Sequence, residues 1–598
     1  MTAFHRYLPA LLAVVCLLGL SACQTAPAQD TVTTAAPAPV TEPASTDLVL
    51  VSGGEAKVQL IRSDDANAET TAEFTRLYKK IAEVTGVYPE FTTDYIRGTH
   101  TRSAEEDGIP AILAGQTNYS ASGEVIRGLS YGEGVAKVVG QQLIVAAVDQ
   151  SAAIQLVDEL CAYIEANGRA GELSIPADYS LTVEASEQLM GVPVVDGGIF
   201  AGRTDVGDNA YTLNIGHVTS EEYDAYRARL AESGLTQYSA SEIGKNRFVT
   251  YISDAFVYNY LYTPTDEMLR VVIDKKSNTA LPPVAEPAYT KVCDTSLTQL
   301  GLEYNYDNPS NPYKFTQSDW QIGMCYIFRL EDGSFIIIDG GFNQGRNAKM
   351  LWDKLKELSA DYKPNKITIA AWFLTHAHGD HYGTFKNFME TYGQHVELNY
   401  LVYNAASDAQ YKSCNSSAGG MTAVAATYVP KAKTIIARPG QTMQLANADI
   451  EMIFSDEFLG ASVKSANSLC IHFRITVAGQ TFMFAGDSDT DATNQVVKLY
   501  GKELASDFVQ VIHHGATGGT VAYYQCVDPT IVLWPLGEYD YFVDTGVPGK
   551  TTRSTETYNS YIFTSTKIRE VILAGHTDRT IALPYAYPAD RVDPVRVG

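Results

Sequence analysis

Four potential metal ligands lie close together in the C-terminal half of the chain. His376, His378, Asp380 and His381 belong to one short segment, Thr-His-Ala-His-Gly-Asp-His. Imidazole nitrogens with a carboxylate form a ligand set typical of zinc, and also of iron or manganese. The alternative is a helix start that carries surface histidines. Three histidines and an aspartate at this spacing rarely occur by chance, so the segment is interpreted as a metal site.

A buried strand is expected to position these side chains. Residues 367–374 form a short apolar run that leads directly into the histidines, as a buried strand that ends in a loop would. Residues two apart at a strand end point the same way, so His376 and His378 are expected to hold one ion. Asp380 and His381, in the turn beyond, are then expected to face a second position.

Two later strands end in similar residues. A predicted strand at residues 480–484 is followed by Ala-Gly and Asp487. A second predicted strand, residues 507–512, is followed by His513 and His514. Further acidic and imidazole groups at strand ends favour a site that is assembled at one edge of a sheet.

The order of these motifs resembles that of the metallo-β-lactamase superfamily. The resemblance implies an αββα sandwich with two metals at its edge and Asp487 as the bridging ligand. Either His513 or His514 would complete the second metal. We assign His513 as that ligand and name Asp380 and His514 as catalytic residues, with His514 free to contact the substrate or protonate the leaving group.

One family ligand has no obvious counterpart. The family usually supplies a further histidine for the first metal, but the interval before Asp487 offers only His395 and His472, which we interpret as structural. An Asn-Ser-Leu motif that begins at Asn467 stands there instead. It resembles the branch that contains the hydrolase domain of bacterial DNA-uptake proteins and related phosphodiesterases. We therefore name Asn467 as a substrate-binding candidate and expect a loosely bound first metal or a mononuclear site.

The ligand set predicts a metal-dependent hydrolase. Two divalent ions, most simply Zn²⁺ with Mn²⁺ or Fe²⁺ as alternatives, would share a hydroxide that attacks a carbonyl carbon or a phosphorus. We expect a phosphodiester or similar ester at the cell surface as the substrate. The alternative is a surface-binding lipoprotein with a degenerate metallo-domain. A β-lactamase or a nuclease is a weaker interpretation.

Length predicts the number of domains, and charge limits the partners. A chain of 598 residues predicts three or four domains. Its formal net charge of −25 opposes binding to nucleic acid, because that affinity comes from clustered Lys and Arg. A small-molecule or cell-surface substrate is therefore expected, with no nucleic-acid partner.

The N-terminus indicates export. An apolar run of about a dozen residues follows His5 and Arg6, too short for a comfortable membrane span. It ends in Leu-Ser-Ala-Cys23, which resembles the lipobox of bacterial lipoproteins. The resemblance implies a signal peptide over residues 1–23, lipidation of Cys23 and anchoring to the extracytoplasmic face of a bacterial membrane. An ordinary cleaved signal is the alternative. Residues 24–46, rich in Ala, Pro and Thr, predict a disordered tether.

The rest of the chain predicts an α/β (α+β) fold in three domains. Residues 47–190 and 191–280 are interpreted as two smaller α/β domains. Residues 281–292, which include Pro282, Pro283 and Pro287, are interpreted as a linker. Residues 293–598 form the predicted sandwich domain. His576 follows a late predicted strand and is a second substrate-binding candidate.

Overall fold

A computed structural model describes residues 47–595 with several gaps. The residues outside the description are 1–46, 65, 67, 99, 148–149, 185–188, 190–191, 208–209, 286, 303–322, 344, 461, 537–540, 542–557, 575–577 and 596–598. The predicted signal peptide, Cys23, the tether and His576 therefore lie outside the described residues. Within them, no helix has the length and apolar composition needed to cross a bilayer.

The first part of the described chain is built on a six-stranded mixed sheet. Its strand order is β4-β3-β5-β7-β6-β9, and β4, β3, β5 and β7 run parallel. A small sheet, β2-β1-β8, lies beside it. The strands are β1 Leu48–Ser52, β2 Glu55–Ala56, β3 Gln59–Arg62, β4 Glu90–Thr93, β5 Ala111–Ala114, β6 Gly134–Val139, β7 Gln142–Ala147, β8 Leu173–Ile175 and β9 Ser180–Val183. The helices are α1 Ala68–Thr85, α2 Ala104–Asp107, α3 Ser120–Arg127 and α4 Gln150–Asn167.

The second part is an antiparallel sheet with one helix. Six strands lie in the order β10-β11-β15-β14-β13-β12. The helix begins after a capping box, in which Thr219 and Glu222 satisfy each other's backbone N–H groups. The strands are β10 Ile199–Val206, β11 Ala210–Gly216, β12 Thr236–Ile243, β13 Asn246–Ile252, β14 Phe256–Thr263 and β15 Met268–Lys275, and the helix is α5 Ser220–Leu230.

The C-terminal part contains two seven-stranded mixed sheets. The first has the order β21-β20-β19-β18-β17-β16-β29 and the second β22-β23-β24-β25-β26-β27-β28. The strands are β16 Ser296–Gln299, β17 Cys325–Arg329, β18 Phe335–Asp339, β19 Ile367–Phe373, β20 Val396–Tyr403, β21 Thr434–Ile436, β22 Thr442–Leu445, β23 Ala448–Phe454, β24 His472–Val477, β25 Gln480–Phe484, β26 Phe508–Gln510, β27 Ile531–Trp534, β28 Glu570–Leu573 and β29 Arg579–Ala582. The helices are α6 Gly345–Leu358, α7 Gly379–Tyr392, α8 Asp408–Ser413, α9 Gly419–Tyr428, α10 Thr490–Tyr500, α11 Val521–Val527 and α12 Ser560–Thr564.

These two sheets pack face to face, with helices on both outer faces. Between the sheets, the rings of Phe373 and Phe473 stack at 4.6 Å and those of Phe473 and Phe484 at 5.5 Å. Helices α6 and α7 cover the first sheet, and α10 and α11 cover the second. The four layers are those of the predicted αββα sandwich, and the predicted mixed α/β fold is confirmed.

The three parts share hydrophobic cores. One cluster joins residues of the mixed sheet, such as Ile61 and Leu113, to Tyr258 and Tyr260 of the antiparallel sheet. Another joins the opposite face of the antiparallel sheet, through residues such as Phe248, to the outer layer of the sandwich. The described residues accordingly form one compact unit.

A buried ion-pair cluster connects the antiparallel sheet to the sandwich. Arg438, 1% exposed, donates to Asp274 from Nη2 at 2.6 Å and from Nε at 3.1 Å. Its third nitrogen, Nη1, donates to Glu457, which is also buried. Coulombic attraction to both carboxylates outweighs burial and raises the pKa of Arg438. The cation thus holds one buried anion from strand β15 of the antiparallel sheet and one from the segment that follows β23 of the sandwich.

Removing this cation should destabilise the protein strongly. Arg438→Met leaves Asp274 and Glu457 buried without a counter-ion, which costs about 3–5 kcal/mol. The free energy of unfolding in urea would measure the loss. The matched control is Lys498→Met, because Lys498 bridges the same two parts through Asp266 at 2.8 Å but its side chain is 54% exposed. The control should cost about 0–1 kcal/mol, and equal effects of the two variants would contradict the buried role of Arg438.

Candidate metal centre

The four potential ligands of residues 376–381 lie at the junction of a strand and a helix. Strand β19 ends at Phe373, and α7 begins at Gly379 with His378 as its N-cap residue. Asp380 and His381 occupy the first turn of α7, whereas the sequence predicted a turn there. A carboxylate at that position also interacts favourably with the helix dipole.

Asp339, at the end of β18, orients His381. Its buried carboxylate accepts hydrogen bonds from the Thr375 N–H at 2.8 Å and from the Thr375 hydroxyl at 2.7 Å. The same carboxylate lies 2.7 Å from Nδ1 of His381. A proton on Nδ1 leaves the Nε2 lone pair of His381 free for a metal, the arrangement in which a carboxylate orients a metal-bound histidine. Asp339 was not singled out from the sequence, although an acid after four apolar strand residues was a usable signal.

His514 is oriented by a backbone carbonyl. Its Nδ1 lies 3.1 Å from the Pro535 carbonyl oxygen, so Nδ1 carries the proton and Nε2 faces the cluster. Both His513 and His514 have left-handed backbone angles, with φ of 51° and 52°. A hydrogen bond holds this turn in place: Nε1 of Trp534 donates to the His514 carbonyl at 2.9 Å. The strained backbone directs the two imidazoles differently.

Four residues meet at one point. One ligand atom each from Asp380, His381, Asp487 and His514 lies within 4.8 Å of all the others. Asp487 Oδ2 is 3.1 Å from His381 Nε2 and 3.4 Å from His514 Nε2. Asp380 Oδ2 is 3.6 Å and 3.5 Å from the same two nitrogens.

The unsatisfied atoms of this cluster fit a metal. Among the described residues, His381 Nε2, His514 Nε2 and Asp487 Oδ1 are buried without a hydrogen-bond partner. Buried polar atoms normally have partners, so two unsatisfied imidazole nitrogens that converge on the Asp487 carboxylate, itself with one unsatisfied oxygen, fit a metal ion. Two imidazoles and two carboxylates suit zinc, iron or manganese.

His376 and His378 form a second, more neutral group. Nε2 of His376 lies 2.9 Å from Nδ1 of His378, so two nitrogens converge there as ligands of one ion would. Burial lowers the pKa of both imidazoles, which keeps them neutral and able to coordinate.

The Oδ1 atom of Asn467 is buried without a described hydrogen-bond partner, and Nδ2 of Asn467 lies 3.5 Å from His513 Nε2.

The electrostatics of the four-residue cluster are set by mutual charge. Burial lowers the pKa of His381 and His514, but the nearby carboxylates outweigh it, so the pKa of His381 is raised and that of His514 reaches about 10. Burial likewise opposes ionisation of Asp380 and Asp487, yet the two imidazoles hold both carboxyl pKa values below the usual range. In the metal-free protein, two protons therefore balance the carboxylates.

The two adjacent histidines have different surroundings in the structure. His514 lies in the four-residue cluster, whereas the sequence assignment gave the ligand role to His513. His513 Nε2 is 3.8 Å from Asp487, its Nδ1 is 2.7 Å from the Thr517 hydroxyl, and its side chain is 30% exposed. The cause is the left-handed turn, which sequence spacing does not reveal.

The two histidines interpreted as structural have other neighbours. His472 is buried, contacts the Ser488 hydroxyl through Nε2, and has a pKa lowered to about 3 by burial. His395 packs against Trp352, with ring centroids 5.7 Å apart.

Comparisons with known proteins identify the family of this domain. Residues 318–522 match the model of the metallo-β-lactamase superfamily, so the chain contains a domain of that superfamily. No curated protein sequence matches the chain.

Several solved structures are similar to the chain at low identity. The diiron β-hydroxylase CmlA from Streptomyces venezuelae is 12% identical, over 40% of this chain and 45% of its own, with a TM-score of 0.24. A protein from Thermotoga maritima, named a putative Zn-dependent hydrolase of the metallo-β-lactamase superfamily, is 12% identical, over 50% of this chain and 96% of its own, with a TM-score of 0.22. A metallo-β-lactamase from Cronobacter sakazakii is 17% identical, over 31% and 73%, with a TM-score of 0.20. The chain spans about half the length of the CmlA chains it matches.

Removal of the central carboxylate should abolish metal binding. Asp487→Ala deletes the oxygens that face both His381 and His514, so zinc retained after dialysis should fall to near zero by elemental analysis. Asp491→Ala is the matched control, since Asp491 lies in the first turn of α10 and pairs with Lys464. Full metal content in Asp487→Ala would contradict the assignment.

Metal uptake should release protons. His381 and His514 have raised pKa values and are protonated at neutral pH, whereas metal ligation requires the neutral imidazole. Affinity should therefore rise with pH from neutral towards about 10, the pKa of His514. Calorimetric titration with Zn²⁺ in two buffers of different ionisation enthalpy would count the protons. His514→Gln should release one fewer, and binding without proton release at pH 7 would refute the linkage.

Proposed function

We propose that the metallo-β-lactamase superfamily domain of this chain is a metal-dependent hydrolase of a small phosphodiester or similar ester. The observation that carries the proposal is the convergence of Asp380, His381, Asp487 and His514, with the imidazole Nε2 atoms of the two histidines buried and without a hydrogen-bond partner among the described residues. Asp339 and the Pro535 carbonyl fix the imidazoles from behind, so the ligand geometry exists before a metal binds.

The site residues have distinct roles in this proposal. Asp380, His381, Asp487 and His514 would hold one divalent cation, and His376 with His378 a second. When bound, such cations supply Lewis acidity and make water nucleophilic at neutral pH. His513 is partly exposed beside Asp487, so we assign it to the substrate or to the proton of the leaving group. Asn467, next to His513, would contact the substrate through its amide.

Charge around the site supports a small substrate. Long nucleic acid needs a track of unpaired Lys and Arg. The two basic residues close to Asn467 in sequence are both paired: Lys464 with Asp491 at 2.7 Å and Arg474 with Glu451 at 2.5 Å. With a net charge of −25, the protein would repel a polyanion, whereas one phosphate or carboxylate needs only the cations.

A degenerate, non-catalytic scaffold is the second candidate. It is favoured by one observation: among the described residues, His376 and His378 belong to no group of three or more side chains that could hold a metal ion. A scaffold of this kind should hold little metal, so the metal content of the purified protein separates the two candidates. A β-lactamase or nuclease activity has no such support.

Small and large substrates should behave differently. Zinc- or manganese-loaded protein should hydrolyse bis(p-nitrophenyl) phosphate, and Asp487→Ala should not. Long duplex DNA should stay intact at low salt. Salt-sensitive digestion of duplex DNA would reverse the substrate proposal, and carboxylic ester and β-lactam reporters in the same assay would expose a different bond preference. His513→Ala should keep its metal but lose most of kcat.

The proposed location is the extracytoplasmic face of a bacterial membrane, with Cys23 as the lipidated residue. Cys23→Ser should move the protein from the membrane to the soluble fraction, because the lipid would be its anchor. Fractionation after a salt wash, followed by immunoblotting, measures the distribution. Persistent membrane association of Cys23→Ser would refute lipid anchoring without affecting the hydrolase proposal.

A further inference from the structure

A large cavity lies far along the chain from the metal ligands, at the carboxyl ends of the parallel strands of the six-stranded mixed sheet. Its volume is about 630 Å³, within the range of small-molecule sites. The residues that follow β3 (Ser63, Asp64) and β5 (Gly115, Gln116) line it, together with Ala147 at the end of β7.

The topology places this cavity where open α/β sheets bind ligands. From β3 the chain passes through α1 to β4, on one side of β3. It then passes through α2 to β5, on the other side of β3. The connections therefore reverse direction between β3 and β5. A crevice opens outside the carboxyl ends at such a switch point and is the usual ligand site.

The antiparallel domain closes the cavity. Residues 195–197, which precede β10, and the first two residues of β10, Ile199 and Phe200, form the opposite wall. Nε2 of Gln116 donates to the Gly198 carbonyl across the junction at 2.8 Å. The shared core that contains Val195 and Tyr131 lies at the same junction. The walls are consequently held by packing between two sheets, a common setting for ligand sites.

One buried polar atom of the lining has no partner. Thr117 is 5% exposed, and its hydroxyl lacks a hydrogen-bond partner among the described residues. The backbone N–H of Thr117 is satisfied by Ser122 Oγ at 3.3 Å, so the residue is held in place while its side chain is not satisfied. Buried hydroxyls are normally paired. The unpaired hydroxyl on the cavity wall therefore indicates a ligand that hydrogen-bonds there.

The charges of the lining exclude an anionic ligand and disfavour a metal ion. The described lining contains three carboxylates, Asp64, Asp94 and Asp196, against the single guanidinium of Arg127. The two oxygens of Asp94 accept from the backbone N–H groups of Asp64 at 2.7 Å and Asn118 at 2.8 Å. Asp196 pairs with Arg127 at 3.4 Å. Two of the three carboxylates are thus already engaged, which disfavours an oxygen cage for a dication.

The remaining groups suit a ligand with many hydroxyls. Acceptor oxygens come from Asp64, from the Thr117 hydroxyl, and from the Gln116 amide, whose nitrogen is already engaged. Aromatic side chains stand among them: Phe200 and the 67% exposed Tyr95. Aromatic faces cover the apolar C–H surface of a ring, while the acceptors take the hydroxyl protons.

We propose that this cavity binds a neutral polyhydroxylated ligand, such as a sugar residue, with hydroxyl groups donating to Asp64, Thr117 and Gln116. The site lies in a different part of the chain from the metal centre, and its existence does not depend on hydrolysis. It would give the six-stranded mixed sheet and the antiparallel sheet a binding role in addition to their packing role.

Saturation-transfer NMR on the full chain tests the proposal. The probes are glucose, galactose, N-acetylglucosamine and cellobiose, with AMP and choline as charged comparators. Gly123→Leu is the blocking variant, because a Cβ on this helical glycine meets only Arg127 Nη2 at 4.0 Å and a larger side chain would fill the cavity. Thr117→Val removes the unpaired hydroxyl at nearly constant shape. Gly460→Leu is the matched control, since a Cβ there meets nothing within 4 Å.

The expected result is transfer to at least one of the sugars. The signal should disappear in Gly123→Leu, weaken about fivefold in affinity in Thr117→Val, and persist in Gly460→Leu. Transfer to none of the four sugars would overturn the proposal, as would transfer to AMP or choline in their place. Binding that survives both Gly123→Leu and Thr117→Val would place the sugar outside this cavity. Zinc content serves as the folding control in each variant.

Discussion

The metal centre depends on the buried carboxylate of Asp339. Burying a carboxylate is costly unless it is hydrogen-bonded, and Asp339 meets this condition through the N–H and hydroxyl of Thr375 and through Nδ1 of His381. The parallel pairing of β18 and β19 brings these groups together, because parallel strands end at the same edge. The interaction therefore fixes both the loop after β19 and the face of His381 that points towards Asp487.

Much of this site could be predicted from sequence because its residues follow apolar strands. The strand before His376, the strand before Asp487 and the mixed α/β sandwich all have strong local patterns. The distinct surroundings of His513 and His514 could not be predicted. Adjacent residues share every local signal, and the left-handed angles that separate them are imposed by contacts such as that of Trp534 with the His514 carbonyl.

The joining of the three parts was also not predictable. Strand patterns show which faces are apolar but not which distant segment covers them. Phe248 packs so closely on Gly440 that a Cβ there would lie 2.0 Å from its ring, a contact between residues far apart in the sequence. Arg438 is similar: in sequence it resembles any surface arginine, yet it is buried between Asp274 and Glu457. Such contacts arise only when the sheets dock.

The two groups of metal ligands differ in charge, and this difference has a consequence for binding. Asp380 and Asp487 contribute two carboxylates to the cluster that contains His381 and His514. His376 and His378 are neutral donors, because burial lowers their pKa values. A dication gains far more Coulombic energy beside buried carboxylates than beside neutral imidazoles. The group that contains Asp380 and Asp487 should therefore bind a cation first. A second cation would bind beside His376 and His378 only if these weaker, neutral ligands suffice to hold it.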